Sequence, residues 1–208
     1  MSSELSYQEI TTKLWSLDPK LALVCKATSV EIEPSPSVDI YASLLQSIVS
    51  QQLSTKVAAI IWKRFLDLFP AHYPDYRAVL DLAVSQLRGV GLSGSKSQYI
   101  QNVALFASQN DMSLDYLMSK SDTEIVDYLT AIKGVGKWTV QMILMFPMDR
   151  QDVFPVDDLG IQTKMKHWYD LTSEKKQLKK EMLAIVASWA PYKTLACKYL
   201  WASVIPKT

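Results

Sequence analysis

From Ile40 to Phe69 the apolar residues fall three and four positions apart: Leu44, Leu45, Ile48 and Val49, then Val57, Ile60, Ile61, Phe65 and Leu68. Steps of that size place side chains on one face of an α-helix, whereas a half-buried strand needs strict alternation. The polar run Ser50-Gln51-Gln52-Leu53-Ser54 reads as a break between two such helices. The same spacing recurs along nearly the whole chain, and no stretch alternates convincingly. The fold class expected is all-α.

Turn signals divide the remainder. Asp18-Pro19 interrupts an N-terminal helical pattern, and Pro34 and Pro36 mark a turn-rich connection. "PAHYPDY" reads as a loop, "AVLDLAVSQLRGVG" as a helix ending in a glycine turn, and "SGSKSQYIQNVALFASQ" as the helix that follows. Ser121-Asp122-Thr123-Glu124 has the capping-box pattern that opens a helix. Further helices are expected after Asp158, from Ser173 through Ala190, and from Pro191 onward. "LRGVGLSGSKSQYI" echoes "LTAIKGVGKWTVQMI", as a tandem pair of hairpins would and as chance similarity also would.

A chain of 208 residues, 49% apolar, can bury a substantial core as one large domain or as two small lobes. The start lacks a signal-peptide pattern, and the apolar runs stop well short of a membrane span. We therefore expect a soluble protein with no membrane partner, cytoplasmic or, in a nucleated cell, nuclear. Cys25 and Cys197 are isolated, and the other soft ligands are His72 and His167, so neither structural zinc nor an iron–sulfur cluster is expected. Net charge is only +1, so any nucleic-acid function must rest on local geometry.

Two features fit poorly with plain core building. Gly134-Val135-Gly136 stands before the helical run that starts near Lys137, and Asp157-Asp158 follows it closely. Glycine permits backbone angles closed to other residues and a close backbone approach. The uncapped amides and positive dipole end of the next helix would then face an anion, such as a nucleic-acid phosphate. Val135 would pack inward, with Lys137 and Thr139 as further donors. A Gly-x-Gly turn taken alone reads first as a turn between core helices, and an aspartate before a helix is ordinarily only its N-cap.

The longer pattern L-x-x-I-x-G-V-G-x-x-T, Leu129 to Thr139, resembles the helix-hairpin-helix DNA-binding motif. Together with Trp138 and "DVFPVDD", it resembles the alkylation-repair branch of the helix-hairpin-helix DNA glycosylase superfamily, the 3-methyladenine DNA glycosylase II or AlkA type. "SIVSQQLSTKVA" and "GLSGSKSQYI" are similar to that family's helical core, so the resemblance runs from about Ile40 to Trp201. It implies one glycosylase domain over 1–208, made of two helical lobes flanking a DNA-binding cleft. The N-terminal β-rich domain of the best-known members is not expected here.

The resemblance also implies roles. The chain would act, as a monomer, on double-stranded DNA carrying alkylated bases or abasic sites, flip out the damaged nucleotide and hydrolyse its N-glycosidic bond. Asp158 aligns with the catalytic acid, with Asp157 as the alternative. Trp138 stands where strand-cleaving relatives carry a nucleophilic lysine, which implies a monofunctional enzyme using water. Trp138, Met142 and Trp201 align with base-pocket positions, Met142 replacing a tyrosine. Leu53 matches the wedge that enters the vacated space, with Gln51 and Gln52 beside the orphaned base. Some hairpins of the superfamily hold a monovalent cation through backbone carbonyls; no other cofactor or metal is implied. A non-catalytic lesion- or abasic-site-binding protein is the second reading, and a helical interaction scaffold the third. The lysines at 175, 176, 179 and 180 read as a solvated helix face.

Overall fold

The computed structural model describes residues 6–28 and 39–205; the proline-marked connection at Pro34 and Pro36 lies outside the described residues. Among those described there are thirteen α-helices, two short 3-10 turns and no strand. The chain forms two compact units. One takes both ends of the chain, Met1–Ser35 with Asp149–Thr208, and the other is the continuous segment Pro36–Met148.

The continuous unit begins with α3 (Ile40–Ser50) and α4 (Thr55–Leu66), separated as expected at the polar run. Leu44, Leu45, Ile48 and Val49 of α3 are buried, which makes this helix the centre of the unit. It packs against α4, α7 (Gly94–Gln109) and α10 (Lys137–Met145). The "PAHYPDY" loop contains a 3-10 turn, Pro70–His72, and its last residue already belongs to a helix. The next segment differs from the single helix expected. It forms α5 (Tyr76–Asp81) and α6 (Val84–Gly89), broken at Leu82 and Ala83. The break is stable because its polar groups find partners: Gln86 accepts from the Ala83 N–H, and Gln101 of α7 donates to the Leu82 carbonyl.

The short α8 (Leu114–Met118) and α9 (Asp122–Thr130) follow, and the capping box at Ser121 and Glu124 is formed. The two glycine turns have the same construction. Gly91 and Gly134 both take positive φ (107° and 105°), buried Leu92 and Val135 follow them, and Ser93 and Gly136 are the N-caps of α7 and α10. The echo in the sequence is thus an echo in the fold.

In the other unit, α1 (Tyr7–Leu17) and α2 (Pro19–Lys26) pack with α11 (Leu159–Tyr169) and α13 (Lys193–Ala202), while α12 (Lys175–Val186) packs against the 3-10 turn that follows it. Asp18 ends α1 and caps α2: its Oδ1 accepts from the Lys20 and Leu21 amides. Its Oδ2 accepts from the Tyr169 hydroxyl (2.7 Å) and the Trp189 indole N–H (2.8 Å). A sequence break therefore doubles as the polar centre of the unit. Cys25 and Cys197 are buried free thiols. The stretch expected to run from Ser173 through Ala190 is shorter, with α12 followed by a 3-10 turn at Ala187–Trp189. Lys179 departs from a purely solvated lysine face, since it forms an ion pair with Asp157.

Candidate functional site

The hairpin between α9 and α10 closes on the bond from the Val135 N–H to the Ile132 carbonyl. Gly134 is required twice over. Its φ of 105° disfavours any side chain, and a Cβ there would lie 2.2 Å from Cγ of Tyr99 on α7. Asn102, also on α7, donates to the Lys133 carbonyl at 2.9 Å, so the turn is held from one side by a single helix. Val135 is buried at 5% exposure, as an inward anchor should be. Gly136 caps α10 with no side-chain bond, so the positive end of the helix dipole lies at the turn, and Lys137 beside it is exposed. Thr139 is the exception to the expected set. At 3% exposure it faces the interior, because the turn of α10 that shows Lys137 and Trp138 outward brings position 139 onto the buried face, so it is no surface donor.

Trp138, Met142 and Phe146 follow one another at four-residue steps, where successive side chains share a helix face. Trp138 is 41% exposed, an unusual degree for an indole that serves only as core. Met142 and Phe146, with Ile143 and Pro147, form one wall of a groove of about 240 Å³. Ser43, Gln46, Ser47 and Ser50 of α3 form the other wall, so the groove is apolar on one side and rich in hydrogen-bonding groups on the other. A second hollow of similar size lies beside Leu53, and Gln46 and Ser50 line both. Leu53 itself is 37% exposed, in the turn between α3 and α4. Gln51 ends α3, and Gln52 takes a left-handed φ of 56°.

Asp157, Asp158 and Trp201 belong to the other unit. Asp158 is the N-cap of α11, and its Oδ1 accepts from the Ile161 N–H at 2.8 Å and from the Trp201 indole N–H at 3.0 Å. Gly160 leaves room for that arrangement: a Cβ there would stand 3.0 Å from Asp158 Oδ1 and 3.3 Å from the Trp201 ring. Cys197, one turn earlier on α13, lies in the same field. Burial pushes its thiol well above the usual range, and the Asp158 carboxylate adds to the effect. Asp157 has a different partner, the Lys179 ammonium. Among the described residues no cluster of three or more His, Cys, Asp or Glu could hold a metal ion, and no helix is long and apolar enough to cross a membrane.

The pattern of the HhH-GPD superfamily of base excision DNA repair proteins matches residues 45–191, which include the α3–α4 turn, the hairpin and the aspartate pair. The chain belongs to this superfamily. A relative from Schizosaccharomyces pombe, an alkylbase DNA glycosidase-like protein, is 30% identical over 100% of this chain and 97% of its own length. A Bacillus subtilis protein provisionally named a DNA-3-methyladenine glycosylase is 32% identical over 79% of this chain, which spans 59% of that protein's length. Among solved structures, the 3-methyladenine DNA glycosylase of S. pombe in complex with abasic DNA superposes with a TM-score of 0.82. It is 28% identical, and the match covers 92% of this chain and 94% of that one.

Several residues that line the groove between α3 and α10 escaped the sequence reading. Phe146 had a signal, its four-residue step from Met142. Gln46 and the α3 serines had none, because a polar residue on a core helix looks like any solvated position until the facing helix is known.

Proposed function

We propose that this chain is a monofunctional DNA glycosylase of base excision repair that removes alkylated purines of the 3-methyladenine type. The reading rests on the names of its full-length relatives and on one observation above all, the placement of Asp158. That carboxylate is oriented by two donors, a backbone amide and an indole N–H, at the N-terminus of α11. Asp157 is engaged by Lys179, which supports assigning the chemistry to Asp158.

In the proposed reaction the hairpin amides and Lys137 hold a backbone phosphate, and Leu53 enters the duplex where the damaged nucleotide has left. The base stacks against Trp138 and Met142 of α10, whose indole face attracts a cationic base. The bond from C1′ to the purine nitrogen breaks, and its electron pair leaves with the base, which departs neutral because it was alkylated and positive. The sugar becomes oxocarbenium-like, and Asp158 stabilises that charge. Water adds at C1′ and loses a proton, leaving an abasic site. Trp138 offers no amine for a Schiff base, so the strand stays intact. The substrate is double-stranded DNA, bound by one copy of the chain.

A monovalent cation at the hairpin carbonyls belongs to the same proposal. The Ile132 and Lys133 carbonyls already accept hydrogen bonds, yet each oxygen keeps a second lone pair, so the residues fit a weakly held ion that would reinforce phosphate binding.

The test is release of free methylpurine from methylated duplex DNA by the wild type and by Asp158→Asn. The wild type should release base, and the variant should be slower by about 10²–10³-fold, the usual loss when a group facing developing charge is removed. Because asparagine caps helices as well as aspartate does, the fold should be unchanged. A wild type that binds abasic DNA without releasing any base would instead establish the non-catalytic, lesion-binding reading.

A further inference from the structure

The turn that carries Leu53 is held by a cation from another helix. The last carbonyls of α3 lack partners within the helix, as at any C-terminus. The Lys96 ammonium, from the first turn of α7, donates to two of them: the Val49 carbonyl at 2.8 Å and the Gln51 carbonyl at 2.7 Å. A positive charge at the negative end of the α3 dipole is favourable in itself. Lys96 is in turn fixed at its own backbone, whose N–H bonds the Ser93 hydroxyl that caps α7. Burial draws its ammonium below the ordinary lysine range, so the contact is partly withdrawn from water.

The residues beyond Gln51 need such a hold. Gln52 takes a left-handed φ of 56°, a conformation that a non-glycine side chain keeps only where its surroundings impose it. The Leu53 N–H donates back to the Ser50 carbonyl, and the Ser54 hydroxyl caps α4 from the other side. The turn is thus fastened at both ends, while Gln52 and Leu53 stay exposed at its tip.

We infer that Lys96 is a positioning residue for the Leu53 turn, setting the backbone of Gln51–Leu53 in the shape needed for insertion into DNA before DNA arrives. The inference rests on the reading of Leu53 as the intercalating side chain. It distinguishes Lys96 from the phosphate-binding lysines usual in a DNA-binding protein, since this ammonium is committed to carbonyl oxygens. A turn prepared in advance adds affinity by reducing what must be ordered on binding.

The experiment uses the full chain with Lys96→Met, Lys96→Gln, Leu53→Ala and the Lys96→Met/Leu53→Ala double variant. Affinity is measured for a duplex holding a tetrahydrofuran abasic analogue and for the undamaged duplex, over a range of salt. Amide exchange at Leu53 is followed without DNA. Lys96→Met should weaken abasic-duplex binding about tenfold, the scale of one lost charge-assisted hydrogen bond, and leave undamaged-duplex binding and the salt slope unchanged. The double variant should be no weaker than the weaker single variant, and the Leu53 amide should exchange faster. A salt slope reduced by about one unit would mark Lys96 as a phosphate contact and overturn the inference. Multiplied losses in the double variant would also overturn it. If Leu53→Ala binds like the wild type, the intercalation reading fails by itself, and unchanged exchange in Lys96→Met separately refutes the clamp. Should Lys96→Met fold poorly, Lys96→Gln decides by the same readouts, because its shorter amide cannot span both carbonyls.

Discussion

Asp157 and Asp158 are chemically identical and adjacent, yet their surroundings give them different partners. Asp157 sits against the Lys179 ammonium on an exposed flank, where an ion pair contributes little to stability and is screened by salt. Asp158 is held by an amide and an indole N–H, so its orientation is set by packing. Asp157→Asn should therefore leave base release within about twofold of the wild type, since exposed pairs carry only about 1 kcal/mol or less. Trp201→Phe keeps most of the aromatic bulk but removes the donor to Asp158 Oδ1. It should lower single-turnover base release about tenfold, the scale of a hydrogen bond to a charged group, with the melting temperature nearly unchanged. Equal rates for Trp201→Phe and the wild type would show that the indole N–H does not orient the acid. The sequence could rank the two aspartates only by alignment to a family pattern. The physical distinction comes from Lys179 and Trp201, residues 22 and 43 positions away in sequence.

At the level of elements, the glycines of the turns divide into positions that need glycine for shape and one, Gly136, with open space around it. Gly134→Ala combines a positive φ with a clash against the root of the Tyr99 side chain, so it should cost about 1–3 kcal/mol or more and weaken DNA binding. Gly136 has an ordinary φ of −95° and nothing within 4 Å of the place a Cβ would take, so Gly136→Ala should change stability by about 1 kcal/mol or less. On the proposed reading its effect should appear in DNA affinity, since the added methyl stands at the N-terminus of α10. Thermal melting paired with duplex titration checks both. Much at this scale was legible in the sequence. Helix periodicity, the break at Ser50–Ser54, the Ser121 capping box and the Asp18-Pro19 boundary are local, fixed by residues a few positions apart. The α5–α6 break, the buried side of Thr139 and the bonds of Lys96 to α3 were not, because each depends on a partner helix.

The chain as a whole closes one unit from its two ends, and Asp18 is a buried polar residue that ties those ends together. Its Oδ1 serves two amides at the start of α2, and its Oδ2 serves Tyr169 and Trp189, more than 150 positions along the chain. At 8% exposure the carboxylate has little help from water, so the four donors are what make its burial tolerable. The Tyr169 hydroxyl shows the same environment from the other side: burial raises its pKa far above the ordinary phenol range, and the neighbouring Asp18 raises it further. Asp18→Asn is then an instructive contrast with Asp158→Asn. At an open N-cap the amide substitutes well. Here an asparagine that caps α2 with its oxygen must turn its NH₂ toward two further donors, leaving the Tyr169 O–H and Trp189 N–H without an acceptor. Asp18→Asn should cost about 3 kcal/mol, the order expected when a buried charged acceptor is lost. Urea unfolding should show a lower midpoint, and amide exchange should quicken in α2 and α11 as their tie loosens. Removing one donor, as in Tyr169→Phe, leaves the carboxylate with three partners and should cost only about 1 kcal/mol. If Asp18→Asn proves as mild as Tyr169→Phe, the carboxylate is only a helix cap, and the ends are held by apolar packing with other polar links such as Thr11–Tyr199 and Lys20–Asp170.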